Sequence, residues 1–389
     1  MTMSRIDALD TAPAAPPPAA PPPAAGRLRL LAVNHTGLVS GGEKVVLRLL
    51  ARANERGWET MIAAPQGEIV ERAAEVGSGW LPLPDLMLPA GPLPVAATMF
   101  GARNLLAARQ IRRSPSPDVV VASGVRVLPL LRCAAPSAPV VWLAQSMVDR
   151  TRWRLLVRAC AAAVHTAVPV SQAVADTIGP APFDVKVVAN GTHWPVAPAP
   201  AEPPTPPVLG CAAILSPWKG QDVLLEAVAR LERTDVVVEL MGRCYPKDGA
   251  YAEALRRRSE QPDLVGRVRF LGHVEDPVGR MRTWTAAIVS SVEPEAGPLS
   301  AIEAMSIGIP VVASNHGGPR EVIGDAGILV RRRDPEAMAA GIRALLEDDQ
   351  LRRSCARAGP RIIASRYRLD RQIDALLDVV AGTVGASAR

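Results

Sequence analysis

Residues 286–314 read AAIVSSVEPEAGPLSAIEAMSIGIPVVAS, and this stretch decides the fold. Residues 286–289 make an apolar strand, and the loop after it holds Glu293, Glu295, Gly297 and Pro298. A helix is expected over about 300–307, stopped by Gly308 and Pro310. Residues 310–313 are the next apolar strand. Strand, loop, helix and strand in this order make a crossover of the parallel-sheet type. Ligands of such sheets sit beyond the carboxyl ends of the strands, against helix N-termini. Glu295 lies on the loop and Glu303 about one turn into the helix, so both can meet one ligand from different sides.

The same alternation extends outward in both directions. Strands are expected at 28–33, 60–64, 118–122, 140–143 and 167–170, with a helix over about 43–56 whose Val45, Val46, Leu49 and Leu50 recur at helical spacing. Strands restart at 208–215, 236–241, 268–271, 286–289 and 310–313, with helices at 221–231 and 252–259. Between the two halves the chain turns proline-rich, and 193–207 reads as a stiff linker. Residues 1–26, rich in Ala and Pro, read as a disordered tail rather than a signal peptide, since prolines interrupt any apolar core. The expected organisation is therefore a tail (1–26), an α/β domain (27–192), the linker (193–207), a second α/β domain (208–365) and a C-terminal helix with its tail (366–389).

The chain has 389 residues, enough for two domains, and its 48% hydrophobic content supplies two cores. A net charge of +6 favours anionic partners without choosing among nucleotides, membranes and nucleic acid. Nucleic acid is disfavoured, because only 3% of residues are aromatic. The five cysteines are scattered and odd in number, which argues against a disulfide framework or a zinc site and points to the cytoplasm. No stretch is long and apolar enough to span a bilayer. Arg150, Arg152, Arg154 and Arg158 around Trp153 form a basic stretch that reads as a solvated face, a grip for an anionic acceptor or a peripheral contact at the inner face of a membrane.

Several groups can carry chemistry. Ser216-Pro217-Trp218-Lys219-Gly220 lies between a strand end and a helix start, where a lysine can reach a diphosphate. Gly297 to Ser300 sit at a helix N-terminus, whose amides favour phosphate. Gly41 and Gly42 precede a helix and allow close backbone approach. His316 is a loop histidine. No P-loop or Ser-His-Asp spacing stands out, and Glu293 with Glu295 is too small a set for a metal.

The spacing of Glu295 and Glu303, the Glu303-Ala304-Met305 run, the Gly308-Ile309-Pro310-Val311-Val312 strand and Gly317-Gly318-Pro319-Arg320-Glu321 together resemble the E-x7-E region of the retaining glycosyltransferases of family 4. The resemblance is strong after Val208 and thinner before it. It implies the GT-B fold, two Rossmann-like doubly wound domains facing a central cleft, and transfer of a sugar from a nucleotide-sugar donor, UDP-linked more than GDP-linked, without metal or cofactor. It implies that Glu295 faces the donor sugar, Glu303 grips the ribose, and Lys219 meets the diphosphate. It sets Gly297, Pro298, Leu299 and Ser300 near sugar and phosphates, and His273 and Val274 at the base edge. Ser40-Gly41-Gly42-Glu43-Lys44 resembles the family's GGAE-like loop, which brings Gly41 and Gly42 to the diphosphate and the acceptor. The acceptor, a small molecule or a lipid-linked one, would be read mainly by the first domain.

Three departures accompany the resemblance. Ala213-Ile214-Leu215 replaces the family's Gly-Arg-Leu/Ile, and Arg243 is the candidate substitute cation. Gln145 and Ser146 follow the 140–143 strand where relatives carry a histidine. Gly297-Pro298 replaces a phenylalanine. These departures motivate a rival reading, a degenerate GT-B protein that binds a nucleotide or partner. A nucleotide-sugar epimerase on the same fold is a further alternative.

Overall fold

The computed structural model describes residues 27–86 and 93–387. The expected tail at 1–26, together with 87–92 and 388–389, lies outside the described residues. The chain divides into two compact units: unit 1 runs to Val188 and takes in the chain from Gln372, and unit 2 is Ala189–Arg371.

Unit 1 is built on a seven-stranded sheet. Its strands are β1 (Arg29–Val33), β2 (Glu59–Ala64), β3 (Gly79–Pro82), β4 (Val119–Ser123), β5 (Val140–Ala144), β6 (Thr166–Pro169) and β7 (Asp184–Val185), in the order β3-β2-β1-β4-β5-β6-β7. Every pairing is parallel. Helices on both faces of a parallel sheet bury its strands completely, which is why β4 and β5 are unbroken runs of buried residues rather than alternating ones. The helix expected from about residue 43 begins earlier, at Gly41, and runs to Glu55. A capping box sets the earlier start: the Glu43 carboxylate accepts the Ser40 N–H at 3.1 Å and the Ser40 hydroxyl at 2.5 Å. Gly41 and Gly42 are thus the first helical turn and not a free loop.

The last helix, Leu369–Ser387, packs with unit 1 from Gln372 onward. Asp374 accepts from Arg52 at 3.0 Å and from Arg56 at 2.7 Å, and Thr166 meets Thr383 at 3.1 Å. The arginine pairs are about a third exposed, so their contribution is small beside the burial of Ile373, Leu376, Leu377 and Val380.

Unit 2 carries a six-stranded sheet. The strands β8 (Val208–Ala212), β9 (Val237–Met241), β10 (Val268–Gly272), β11 (Ala286–Val289), β12 (Val311–Ser314) and β13 (Gly327–Val330) run in the order β10-β9-β8-β11-β12-β13, again all parallel. One face packs Leu209, Leu224, Leu240, Ile342 and Leu345; the other packs Trp284, Ile302, Met305, Ile307 and Tyr367. Residues expected as a linker lie along this unit: Trp194, Val196 and Ala199 pack on its second face, and the Ala199 N–H donates to the Ile307 carbonyl at 2.7 Å.

One charge is fully enclosed. Glu239, in the middle of β9, accepts from Arg280 Nε and from Trp284 Nε1, each at 2.9 Å. Burial pushes its carboxyl up, but Arg280, Trp284 and Arg269 outweigh that and hold it below the usual carboxylate range.

In both sheets the strand order reverses once, between β1 and β4 in unit 1 and between β8 and β11 in unit 2. Loops leaving adjacent strands at such a point diverge to opposite faces and open a crevice at the carboxyl edge. Each unit therefore has its own candidate crevice.

Candidate functional site

The candidate crevice of unit 2 is bounded by the loops that leave β8 and β11, the two strands at the reversal. The β8 loop makes a tight turn over Pro217–Lys219 and passes through Gly220 at φ +66°, a left-handed conformation. A Cβ at Gly220 would fall 2.3 Å from the Ser290 carbonyl oxygen, so only glycine lets the two loops come this close. They are stitched together: Ser290 Oγ donates to the Lys219 carbonyl at 3.0 Å, and the Val292 N–H donates to the Trp218 carbonyl at 2.9 Å.

That stitching brings Lys219 Nζ within 2.5 Å of Glu295 Oε1, while the ammonium lies 4.0 Å from the centre of the Trp218 ring. Ser291 Oγ donates to the same carboxylate oxygen. Glu295 is buried at 6% exposure, so its charge is balanced by Lys219 and Ser291 rather than by water. Ser291 is in turn fixed by His316, whose Nε2 lies 2.7 Å from the Ser291 carbonyl oxygen. Burial holds the His316 imidazole below its usual value, which leaves the ring neutral near pH 7, Nε2 donating and Nδ1 an acceptor. The backbone of Glu295 is clamped by the loop after β12. The Gly318 N–H donates to the Glu295 carbonyl at 2.8 Å, and Gly317, at φ +59°, passes so near that a Cβ would lie 2.3 Å from that oxygen.

The helix after the Glu295 loop is Leu299–Ser306. It buries Ala301, Ile302, Ala304, Met305 and Ser306 and leaves Leu299, Ser300 and Glu303 partly exposed. Those three share one stripe by helical spacing, so Glu303 stands one turn behind the first amides. The Leu299 and Ser300 N–H groups belong to the first turn and have no partner within the helix, which makes this end attractive to anions. Gly297 is partly exposed beside them, and Pro298 is buried.

Other expected residues stand apart from the Lys219–Glu295 pair. Arg243, at the exit of β9, is exposed and makes no ion pair among the described residues; its carbonyl accepts the Leu215 N–H at 2.9 Å. That bond holds the Arg243 loop beside Ile214, whose own carbonyl accepts from Gln221 Nε2 at 2.8 Å. His273, past the end of β10, is exposed, and Val274 packs on the core with Leu271. Gly41 and Gly42 belong to unit 1. Arg150, Arg152, Arg154 and Arg158 are exposed on or beside the helix Thr151–Cys160, also in unit 1. Ser291 and the anchoring role of His316 were not readable from local sequence. Trp218 was visible as the neighbour of Lys219, but nothing in its spacing set its ring beneath the ammonium.

Two family models match in tandem. Residues 39–193 match Glycosyltransferase Family 4 and residues 196–362 match Glycosyl transferases group 1. The chain carries a family 4 and a group 1 glycosyltransferase domain in tandem and has the GT-B fold. A phosphatidyl-myo-inositol mannosyltransferase of Mycolicibacterium smegmatis is 37% identical over 153 residues, covering 38% of this chain and 38% of the relative. A D-inositol 3-phosphate glycosyltransferase of Geodermatophilus obscurus is 35% identical over 176 residues, 42% of this chain and 37% of the relative. The matches thus span less than half the length of these relatives. Among solved structures, Anabaena HepE with UDP and glucose aligns at TM-score 0.76 and 20% identity, covering 91% of this chain and all of that one. A sucrose-phosphate synthase of Thermosynechococcus elongatus aligns at TM-score 0.78 and 17% identity, covering 92% of this chain and 100% of that one. At these identities the structural likeness speaks for the fold. In this GT-B chain both units carry the parallel Rossmann-like sheets expected from the strand pattern. No helix of the described residues is long and apolar enough to cross a membrane.

Proposed function

We propose that unit 2 binds a nucleotide-sugar donor, most simply a UDP-sugar, and that the enzyme transfers the sugar with retention to an acceptor hydroxyl held by unit 1. The observation that carries this reading is the partly buried Lys219–Glu295 pair at the strand-order reversal of unit 2, in contact at 2.5 Å. A pair of this kind presents a cation and an anion at one point. The ammonium suits a departing diphosphate, and the carboxylate suits the hydroxyls and developing positive charge of the sugar. The Leu299 and Ser300 amides add partial positive charge for phosphate, and Glu303 accepts from ribose hydroxyls. A UDP-bound structural neighbour and sugar-transferring relatives are in keeping with this assignment.

In the proposed step the bond between the anomeric carbon and the diphosphate oxygen breaks. The acceptor oxygen bonds to the same face of that carbon, and its proton passes to the leaving phosphate. Lys219 stabilises the charge that builds on the phosphate, so the chemistry is written without a metal ion. Glu295, with Ser291 and the neutral His316 behind it, orients the sugar; Gly297 and Pro298 shape the turn beneath it. Arg243, exposed beside Ile214, is the second cation for the diphosphate, and His273 with Val274 meets the base.

Calorimetric titration with UDP, GDP and dTDP, repeated on Lys219→Ala, tests the reading. Binding of one nucleotide that is lost in the variant supports it; equal binding by wild type and variant sinks the site assignment. Ile214, where relatives carry arginine, favours a second reading of nucleotide binding without transfer. If transfer appears only in Ile214→Arg, the natural chain is a binder.

A further inference from the structure

A cavity of about 280 Å³ lies in unit 2, away from the Lys219–Glu295 pair. Thr285 and Pro310, which lead into β11 and β12, line it together with Ile307 and Ile309. It therefore stands at the amino edge of the parallel sheet, whereas Lys219 and Glu295 stand at the carboxyl edge. One wall is the proline-rich segment 198–203. Two bonds fix that wall: the Ala199 N–H donates to the Ile307 carbonyl at 2.7 Å, and Arg282 Nη1 donates to the Pro198 carbonyl at 2.7 Å. The other wall is the helix Asp349–Arg366, which contributes Arg352, Arg353, Ala356, Arg357 and Pro360 from one face. Pro198, Pro200, Pro203, Pro310 and Pro360 all border the space. Proline has a fixed φ and almost no side-chain freedom to lose, so these walls are rigid and the space is preformed.

The charge at this cavity is one-sided. Arg352 is only 7% exposed, and its Nη1 donates to Asp349. Its Nε and Nη2 have no partner among the described residues. Arg267, which is 9% exposed, shows how a guanidinium this deep is ordinarily satisfied: it donates to the carbonyls of Val228, Arg233, Val236 and Asp263. Asp349 offers Arg352 less, because its side chain is 66% exposed and it also faces Arg353 at 3.7 Å. Arg357 is exposed and forms no ion pair among the described residues. One largely solvated carboxylate thus stands against three guanidinium groups, and the deepest of them has donors to spare.

We propose that this cavity is a ligand site in its own right, for a small organic acid with a flat apolar ring: Arg352 takes the carboxylate, and the ring lies between the proline walls. A carboxylate matches the guanidinium fork with charge-assisted, bidentate hydrogen bonds. Ile307, Ile309 and the proline faces supply the apolar contact. The volume sets the size. Sites for drug-sized ligands run from about 300 to 1,000 Å³, so this one is too small for a nucleotide sugar or a phospholipid and suits about one or two fused rings. The site shares no residue with the proposed donor site and stands or falls without it.

The test uses 2-naphthoate as the probe, titrated calorimetrically into the full chain. Its neutral amide supplies the ring without the charge, and acetate supplies the charge without the ring. Thermal unfolding with and without 2-naphthoate is the second readout, since a ligand of the folded state raises Tm. Binding of 2-naphthoate is expected, with the amide and acetate weaker by about tenfold or more. Arg352→Gln is expected to lose about tenfold or more of the 2-naphthoate affinity, and Arg352→Lys to recover part of it. If Arg352→Gln does not fold, Ala201→Trp keeps the test decisive. Ala201 is exposed on the proline-rich wall, and an indole there fills the space without removing a charge, so binding is lost while the Tm of the free protein holds. No binding of 2-naphthoate to wild type, equal binding of the amide, or unchanged affinity in either folded variant overturns the proposal.

Discussion

Replacing Lys219 by alanine removes a charge that has two jobs, and the two are separable. The side chains of Lys219 and Glu295 are 16% and 8% exposed, so the pair is neither a surface bridge worth a few tenths nor a fully dry one. Stranding the Glu295 carboxylate with only Ser291 and partial solvent is expected to cost about 1–3 kcal/mol, a discount on the figure for breaking a fully buried pair. For a domain of this size that is a fall in Tm of about 3–8 °C. The same change removes the cation proposed for the leaving phosphate, with a loss of about 100-fold to 1000-fold in turnover. The double variant Lys219→Met, Glu295→Gln leaves no stranded charge. It recovers most of the Tm and none of the turnover. The assays are thermal unfolding by circular dichroism and release of nucleotide diphosphate from the donor identified by titration. Wild-type turnover in Lys219→Ala, or recovery of turnover along with Tm in the double variant, refutes the assignment: the pair would then be a structural strut.

Glu239 predicts a pH dependence. Its carboxyl is held below the usual range in the folded state, so its stabilising contribution is present above the ordinary carboxylate pKa and is lost as pH falls through the folded value. Urea midpoints of wild type and Glu239→Gln are expected to differ most near neutral pH and to converge in acid; a constant gap across the series contradicts the linkage. Gly317→Ala puts a Cβ 2.3 Å from the Glu295 carbonyl oxygen at φ +59°, so it is expected to displace Glu295 and lower turnover by about tenfold or more while far-ultraviolet circular dichroism stays the same. Unchanged kinetics would show that the clamp on Glu295 is dispensable. Cys211 is buried, and burial pushes its thiol up to about 11, whereas Cys133 is exposed. Iodoacetamide at pH 8 is expected to modify Cys133 readily and to leave Cys211 intact until the protein is unfolded, as peptide mass mapping would show.

Local sequence determined much of this protein. The 286–314 stretch fixed a parallel crossover because an apolar run, a Gly-Pro loop, a short amphipathic helix and a second apolar run have only one compact arrangement. Local sequence also set Glu295 on a loop, Glu303 one turn into a helix and, after the earlier strand at 208–215, Lys219 on a turn, since each is an offset along the chain. The strands absent from the sequence reading, β3, β7 and β13, all stand at sheet edges. These edge strands are partly exposed and short: β3 is bracketed by Gly79 and Pro82, β7 is two residues long, and β13 is an apolar run of only four residues that begins with glycine. The early start of the Gly41 helix was hidden because glycine disfavours helix, and the Ser40–Glu43 capping box overrode that preference. The tertiary structure alone decided which distant residues meet. Lys219 and Glu295 are 76 positions apart, and His35 and Arg126 are 91 apart. Each pair comes together because the order of strands reverses between the two that carry it, and strand order follows from how helices pack over the whole sheet, a property that no local periodicity encodes.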